Sequence, residues 1–457
     1  MNAHNPSKRT SASRSKPSRS GDAVLYRQPA NRYPIAVEAS GMRITDANGN
    51  RYLDMSGGAA VSCLGHGHPD VIDAITDQLG KLAFAHTAFF TNRPQEQLAA
   101  LLSKRFVEPG ARVYFLSGGS EANETALKAA WQYWAARGKP DKKRIISREQ
   151  SYHGNTFGAL SVSGNAGRRR ASAAPLLDWP RIPPCYPYRE MHDGETLSEY
   201  ALRSSNYLEQ AILEHGADSI AAFICEPVVG SSLGVVAAPS GYLGRIREIC
   251  DRHEILLIAD EIMCGSGRTG DYFAHERDGI TPDMVTLAKG IGGGYVPLAA
   301  VVMRASVADT LVESGFAHGH TYIGHPLACA AGVAVQTVLD RDHLLRRTRE
   351  YGERFLSLLM NTFAAHPHIG EIRGRGLFAG IELVEDRDTR AGFLNRPAMA
   401  EELRRSAMEQ GLICYPGSIV VEERTVPHIM LAPPLIVDDR HLVECVDKLK
   451  ATLDFTL

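Results

Sequence analysis

The sequence predicts an α/β fold: a mostly parallel sheet covered by helices, with a smaller α+β domain formed by the two ends of the chain. Three observations carry that prediction. Short apolar runs alternate with helix-like segments through the long middle of the sequence. Those runs are bounded by Gly, Pro and Asp and show little polar alternation, as strands buried on both faces do. The two ends instead carry hairpin and short strand patterns set among helical ones.

At 457 residues, 44% hydrophobic and 22% charged, the chain has enough apolar material for one large domain plus a smaller one. A formal net charge of −2 and an isoelectric point of 6.8 create no global field toward nucleic acid or an anionic membrane. The eight cysteines are scattered without CxxC spacing and several lie in apolar runs, which predicts reduced core thiols in a cytoplasmic protein. No apolar stretch is long enough to span a bilayer, and no apolar signal-peptide core opens the chain. Neither a membrane nor nucleic acid is therefore expected as a partner.

Residues 1–22 are predicted to be a disordered tail, because the first twenty hold five basic residues, six serines and no acid. A transit peptide is the alternative, but it needs an apolar face, and this stretch lacks Leu, Ile, Val and Phe. Residues 23–75 are expected to form the N-terminal part of the small domain, with "GMRITDANGNRYLDMS" as a hairpin turning at Asn48-Gly49. Residues 76–344 make the large domain. Within it "RVYFLS" (Arg112 to Ser117) reads as a strand, and "SEANETALKAAWQYWAARG" as a helix with Ala126, Ala130 and Trp134 on one stripe. "SIAAFICEP", "EILLIADE" and "DMVTLAKG" are further strands. Residues 345–457, helical around short strands such as "LFAGIELV", complete the small domain.

Ligands gather at the carboxyl ends of parallel strands, so the residues that end these runs are the candidates for function. They are Ser117-Gly118-Gly119-Ser120, Glu226, Asp260-Glu261 and Lys289. "FLSGGSEANETALK" passes from strand through glycines into a helix, a geometry that binds phosphate or is simply a helix cap. Asp260 is a costly carboxylate unless it meets a cation, a helix terminus or a salt bridge. Lys289 is either paired or desolvated into a nucleophilic amine. His66, His68, His318, His320 and His325 lack ligand spacing and a supporting Cys or carboxylate cluster, so no metal is expected. "GIGGG" resembles part of a dinucleotide fingerprint, yet it follows a lysine and Pro297 soon interrupts it. Arg168, Arg169 and Arg170 read as a solvated loop face.

Taken together, "SGGSEANETALK", "YHGNTFGALSVSG", "FICEPVVG", "IADEIMCGSGRTG", "TLAKGIGGGYVPLAAV" and "HGHTYIGHPLACAA" resemble, in order and approximate spacing, the signatures of class III pyridoxal-phosphate-dependent aminotransferases. The resemblance runs from about residue 23, through "YLDMSGGAAVSCLGHGHP", to "IRGRGLFAGIELV" late in the chain. It implies the fold type I architecture of omega-amino acid and amine transaminases, with pyridoxal 5'-phosphate as cofactor. It further implies that Lys289 is the Schiff-base lysine and proton shuttle, and that Asp260 pairs with the pyridine nitrogen. Gly119 and Ser120 would hold the phosphate, with Thr321 from a second copy of the chain in a homodimer. Tyr152 would lie on the ring face beside His153, with Glu226 and Ile262 completing the cofactor contacts. Phe89 and Phe90 would reach the partner's site. Glu226 and Arg424 would form a switch: Arg424 pairs with Glu226, or swings to solvent, for one substrate and binds the carboxylate of the other.

The implied reaction is a ping-pong transfer of an amino group from an amine or omega-amino acid donor to a 2-oxo acid acceptor such as pyruvate or 2-oxoglutarate. A decarboxylase or aminomutase on the same cofactor is the alternative. A nicotinamide-dependent oxidoreductase using the glycine cluster, and a silent binding protein, are further ones. The small residues of "GGAAVSC" leave room for a larger donor.

Overall fold

A computed structural model of the chain describes residues 23–28, 31 and 33–457. The tail expected over 1–22 lies outside the described residues. Seven strands form the central sheet, in the order Arg112–Leu116, Ala299–Met303, Met284–Leu287, Leu256–Asp260, Ile220–Cys225, Arg144–Arg148 and Arg181–Ile182. Neighbours run parallel except at Ala299–Met303, which is antiparallel to the strand on each side of it. Every residue of Ile220–Cys225, Leu256–Asp260, Met284–Leu287 and Ala299–Met303 is buried. Strands covered on both faces need no polar side, and for that reason they appear in the sequence as unbroken apolar runs.

The helix Gly119–Ala136 lies on this sheet and buries Ala126, Ala130 and Trp134, the predicted stripe. The indole of Trp134 donates to the carbonyl of Ala221 at 2.8 Å, so the one polar atom of the stripe is satisfied. All eight cysteines are free and buried. Among the described residues no helix is long and apolar enough to cross a membrane.

The ends of the chain meet in a four-stranded sheet of Ala36–Ser40, Arg43–Asp46, Arg51–Asp54 and Leu412–Ile413, the last pairing parallel with Arg51–Asp54. The hairpin turns where expected. Gly49 has φ +83°, and the Asp46 carboxylate accepts the amides of Asn48 and Asn50, each at 2.9 Å. A second four-stranded sheet joins Ile369–Gly374, Ala379–Leu383, Arg424–Leu431 and Tyr415–Val421. The expected boundary between residues 75 and 76 falls inside the helix Pro69–Lys81, which packs on Pro326–Arg341. A helix buries its face as a unit, so no division of the chain falls at that point.

Candidate active site

The carboxyl ends of the central strands bring Asp260, Glu226 and Lys289 together with the loop carrying Tyr152 and His153. Asp260 closes its strand and is 3% exposed. Its Oδ2 accepts from Asn123 Nδ2 and meets His153 Nδ1, both at 2.7 Å, while Oδ1 accepts the Ile262 amide at 3.1 Å. Asn123 is held in turn. Thr286 Oγ1 donates to its Oδ1 at 2.8 Å, and its amide group also donates to the carbonyl of His153 at 2.5 Å. Asp260 is thus fixed from the helix, the loop and the next strand. Oδ1, engaged by one amide, keeps a lone pair for a further donor.

Glu261 faces another way: it accepts the amides of Ala274 and His275 at 2.6 and 2.9 Å and meets His275 Nδ1 at 2.7 Å. Of the two adjacent acids, one braces a loop and the other faces the site.

Lys289 has φ +53°, a left-handed conformation that costs a non-glycine residue roughly 1–3 kcal/mol and turns the chain out of the strand. The side chain is partly exposed, yet burial pushes its ammonium down to about 8, against the pull of the Asp260 and Glu226 carboxylates. Glu226 is buried, and its two oxygens accept the amides of Tyr152 at 3.1 Å and Gly230 at 3.2 Å. Desolvation raises its pKa, opposed by nearby His153 and reinforced by Asp260.

Gly119 and Ser120 open the long helix, whose first N–H groups have no intrahelical acceptor, and Gly118 supplies no side-chain cap. A Cβ on Gly119 would stand 2.9 Å from Ile262 Cδ1, so the close approach of the two segments needs glycine. Ser120 Oγ accepts the Asn155 amide at 3.0 Å. These groups suit the requirements of pyridoxal phosphate. Amides at a helix start match a phosphate, a carboxylate with a spare lone pair matches a protonated ring nitrogen, and an amine with a lowered pKa matches an aldehyde.

Thr321, Phe89 and Phe90 are solvent-exposed in the single chain. The Arg424–Glu226 contact is not formed. Arg424 opens its strand at the tip of a hairpin, opposite Val421, and donates to Glu385 Oε2 at 2.7 Å and the Gly392 carbonyl at 3.1 Å. It lines a cavity with Gln150, Arg189 and Arg390, to which Glu226, Asp260 and Lys289 do not contribute.

The arginine triplet is not simply a solvated face either. Arg169 donates to the carbonyls of Leu160, Ser161 and Ser163, and the Arg168 guanidinium lies 4.3 Å from the Tyr152 ring centroid. Only Arg170 is fully exposed. The glycines after Lys289 form a 3₁₀ turn and open no helix that could receive a dinucleotide phosphate. His66 pairs with Asp54 at 3.1 Å, and His318 Nε2 lies 2.8 Å from Thr125 Oγ1.

Sequence reasoning missed Asn123 and Thr286. Asn123 had left a trace: an amide among the alanines of a buried helix stripe needs a partner, and Asp260 is that partner. Thr286, inside an apolar strand, gave no such signal.

The class III aminotransferase family matches residues 26–453 of the chain. An uncharacterised aminotransferase of Schizosaccharomyces pombe is 38% identical over 437 residues, which cover 95% of each protein. The putrescine–pyruvate aminotransferase of Pseudomonas aeruginosa is 34% identical over 425 residues, 92% of this chain and 91% of that one. Among solved structures, the omega transaminase of Pseudomonas jessenii in complex with PMP superposes with a TM-score of 0.87 at 33% identity, covering 93% of both chains. The family works with pyridoxal phosphate, which favours an aminotransferase over the nicotinamide oxidoreductase alternative. With the match running over nearly its whole length, the chain belongs to the class III aminotransferases, pyridoxal-phosphate-dependent enzymes of fold type I.

Proposed function

We propose that this enzyme moves an amino group from an amine or omega-amino acid to a 2-oxo acid such as pyruvate or 2-oxoglutarate, in two half-reactions at one site. The observation that carries this reading is the Lys289 amine, lowered toward neutrality and placed near Asp260 at adjacent strand ends. The relative named for putrescine and pyruvate supports an amine donor and a small oxo-acid acceptor.

Bound pyridoxal phosphate supplies an aldehyde that takes up the amino group and a ring that holds the electrons of the broken C–H bond. Gly119 and Ser120 would hold the phosphate through main-chain amides at the helix start, and Asp260 would keep the ring nitrogen protonated. Asn123, His153 and Thr286 fix the direction of that carboxylate. Tyr152 would cover one ring face, and Ile262, which packs against Gly119, would border the phosphate. Lys289 Nζ accepts the proton from the amino-bearing carbon of the donor and returns one to the acceptor carbon in the second half. Glu226, positioned by two amides, borders the substrate side.

The working unit in this reading is a cytoplasmic homodimer. Phe89, Phe90 and Tyr322 are 79%, 66% and 59% exposed, and aromatic contacts link Phe84 with Tyr322 and His86 with Phe89. An apolar patch of that kind suits a second copy, to whose site Phe89, Phe90 and Thr321 contribute. Residues 345–457 and the first segment of the chain form the small domain around the large body.

A direct test is spectroscopic. The holoenzyme should be yellow, bleach with an amino donor and recover its colour with a 2-oxo acid. A donor that is consumed with release of carbon dioxide, or rearranged without acceptor, would replace transfer by decarboxylation or isomerisation. An active monomer in sedimentation would remove the shared site.

A further inference from the structure

The substrate carboxylate has no reader in the site as assembled so far, because Arg424 is engaged with Glu385 at a hairpin tip. The triplet at 168–170 offers another cation. Asn165 caps the short helix Ala166–Arg169 by accepting the Arg168 amide at 3.0 Å, which fixes the point from which the Arg168 side chain departs. Its guanidinium then lies over the ring of Tyr152, 4.3 Å from the centroid, and the Tyr152 amide is held by Glu226. Arg169, one position along, is spent on three carbonyls.

Arg168 lines a cleft of about 540 Å³ together with Asn165, Ser231, Ser232 and Tyr415. Ser232 is 5% exposed, and its hydroxyl has no hydrogen-bond partner among the described residues. The acid of this cleft, Glu401, is already taken, with Arg404 Nε donating to it at 2.9 Å and Asn31 at 2.9 Å. No described carboxylate stands within ion-pair distance of Arg168, whose charge nevertheless reaches the Lys289 amine and opposes its protonation. A guanidinium presents paired N–H groups in the geometry that a carboxylate accepts, and the Tyr152 ring 4.3 Å away limits where Arg168 can present them.

We infer that Arg168, braced on Tyr152 and joined by the Ser232 hydroxyl, binds the carboxylate of this enzyme's oxo-acid and amino-acid substrates. The inference rests on the reading of Lys289 as the catalytic amine. Because Arg168 belongs to a partly buried helix end and is not pinned by an acid, its charge is open to a carboxylate and costs little when an uncharged amine binds instead.

The test compares substrates differing only by a carboxylate: 4-aminobutyrate with propylamine, alanine with ethylamine, and pyruvate with acetaldehyde. Wild-type, Arg168→Gln and Arg168→Lys holoenzymes are followed in single half-reactions through the cofactor absorbance. Arg168→Gln should raise KM for the carboxylated members by about 10- to 100-fold, the size of a lost charge-assisted hydrogen bond, with far smaller loss for the uncharged ones. Arg168→Lys should recover part of the difference, since it restores charge but not the paired donors. An unchanged resting spectrum in both variants shows that Tyr152 and the cofactor stay in place. Equal losses for both members of each pair, or no change in KM, would overturn the role of Arg168 and leave the aminotransferase reading standing. A wild-type protein whose cofactor answers none of the six substrates would instead strike at that reading.

Discussion

Two lysines of this chain are lowered by burial to about 8, and they sit in opposite kinds of surroundings. Lys142 is 2% exposed and donates to the carbonyls of Ala217, Ile220 and Glu254 at 2.9, 3.1 and 2.8 Å, with its ammonium 4.6 Å from the Trp134 ring. All three of its N–H groups are used. The Lys289 ammonium makes no hydrogen bond with a described residue and feels its acids only through space. Its chain position is strained, whereas Lys142 carries no left-handed φ. The difference teaches that a shifted pKa alone does not mark a catalytic lysine. Saturated donors make Lys142 a fastener between a loop and a strand edge, and unsatisfied ones leave Lys289 free to react.

The comparison breaks most readily at Lys289. Replacing it with Ala should abolish turnover, since positioned acid–base catalysis alone is worth about 10²- to 10⁴-fold and the covalent attachment is lost as well. Near-normal rates in single-turnover assays would refute the assignment. Next in size is Asp260→Asn, which leaves Asn123 and His153 facing an amide that cannot hold a ring nitrogen protonated. A loss of about 10²-fold or more in kcat, with cofactor retained, is expected.

Reconstitution of the apoenzyme sharpens the contrast through pH. The neutral amine is the attacking form, and the folded pKa of Lys289 lies below that of a free lysine. The rate of cofactor uptake should therefore climb about fivefold from pH 7 to 8 and level off above. A rate still rising tenfold per pH unit beyond 9 would mean that the amine is not lowered. The smallest effect on activity belongs to Lys142→Met. It strands the buried Ile220 carbonyl and the part-buried carbonyls of Ala217 and Glu254, and should cost stability on the order of 2 kcal/mol, while kcat per folded molecule stays within about twofold of wild type. Urea melts beside assays at low temperature separate the two effects.

Much of this was legible in the sequence because parallel strands buried on both faces leave apolar runs, and the polar residues that end them stand out. Ser120, Glu226, Asp260 and Lys289 were singled out in that way. What was not legible depends on side chains crossing between segments far apart in the chain. Nothing local in "GNAGRRR" says that Arg168 returns to Tyr152 while Arg169 caps a helix end. Nothing in "VVEERT" says that Glu422 and Glu423 take φ values of +49° and +64° and close a tight hairpin turn, which carries Arg424 to its tip. An acid pair at such a turn hides it, because Asn and Gly are its usual signal. The expected boundary after residue 75 falls inside a helix whose packing partner lies more than two hundred residues away, which no local pattern shows.

The central claim is that Lys289, and not the equally lowered Lys142, joins the cofactor. Reduction of the holoenzyme with borohydride, followed by peptide mapping, tests it most directly. The account predicts a single modified lysine at 289, with Lys142 unlabelled. Cofactor fixed on Lys142 or on any other lysine, with Lys289 intact, would contradict it.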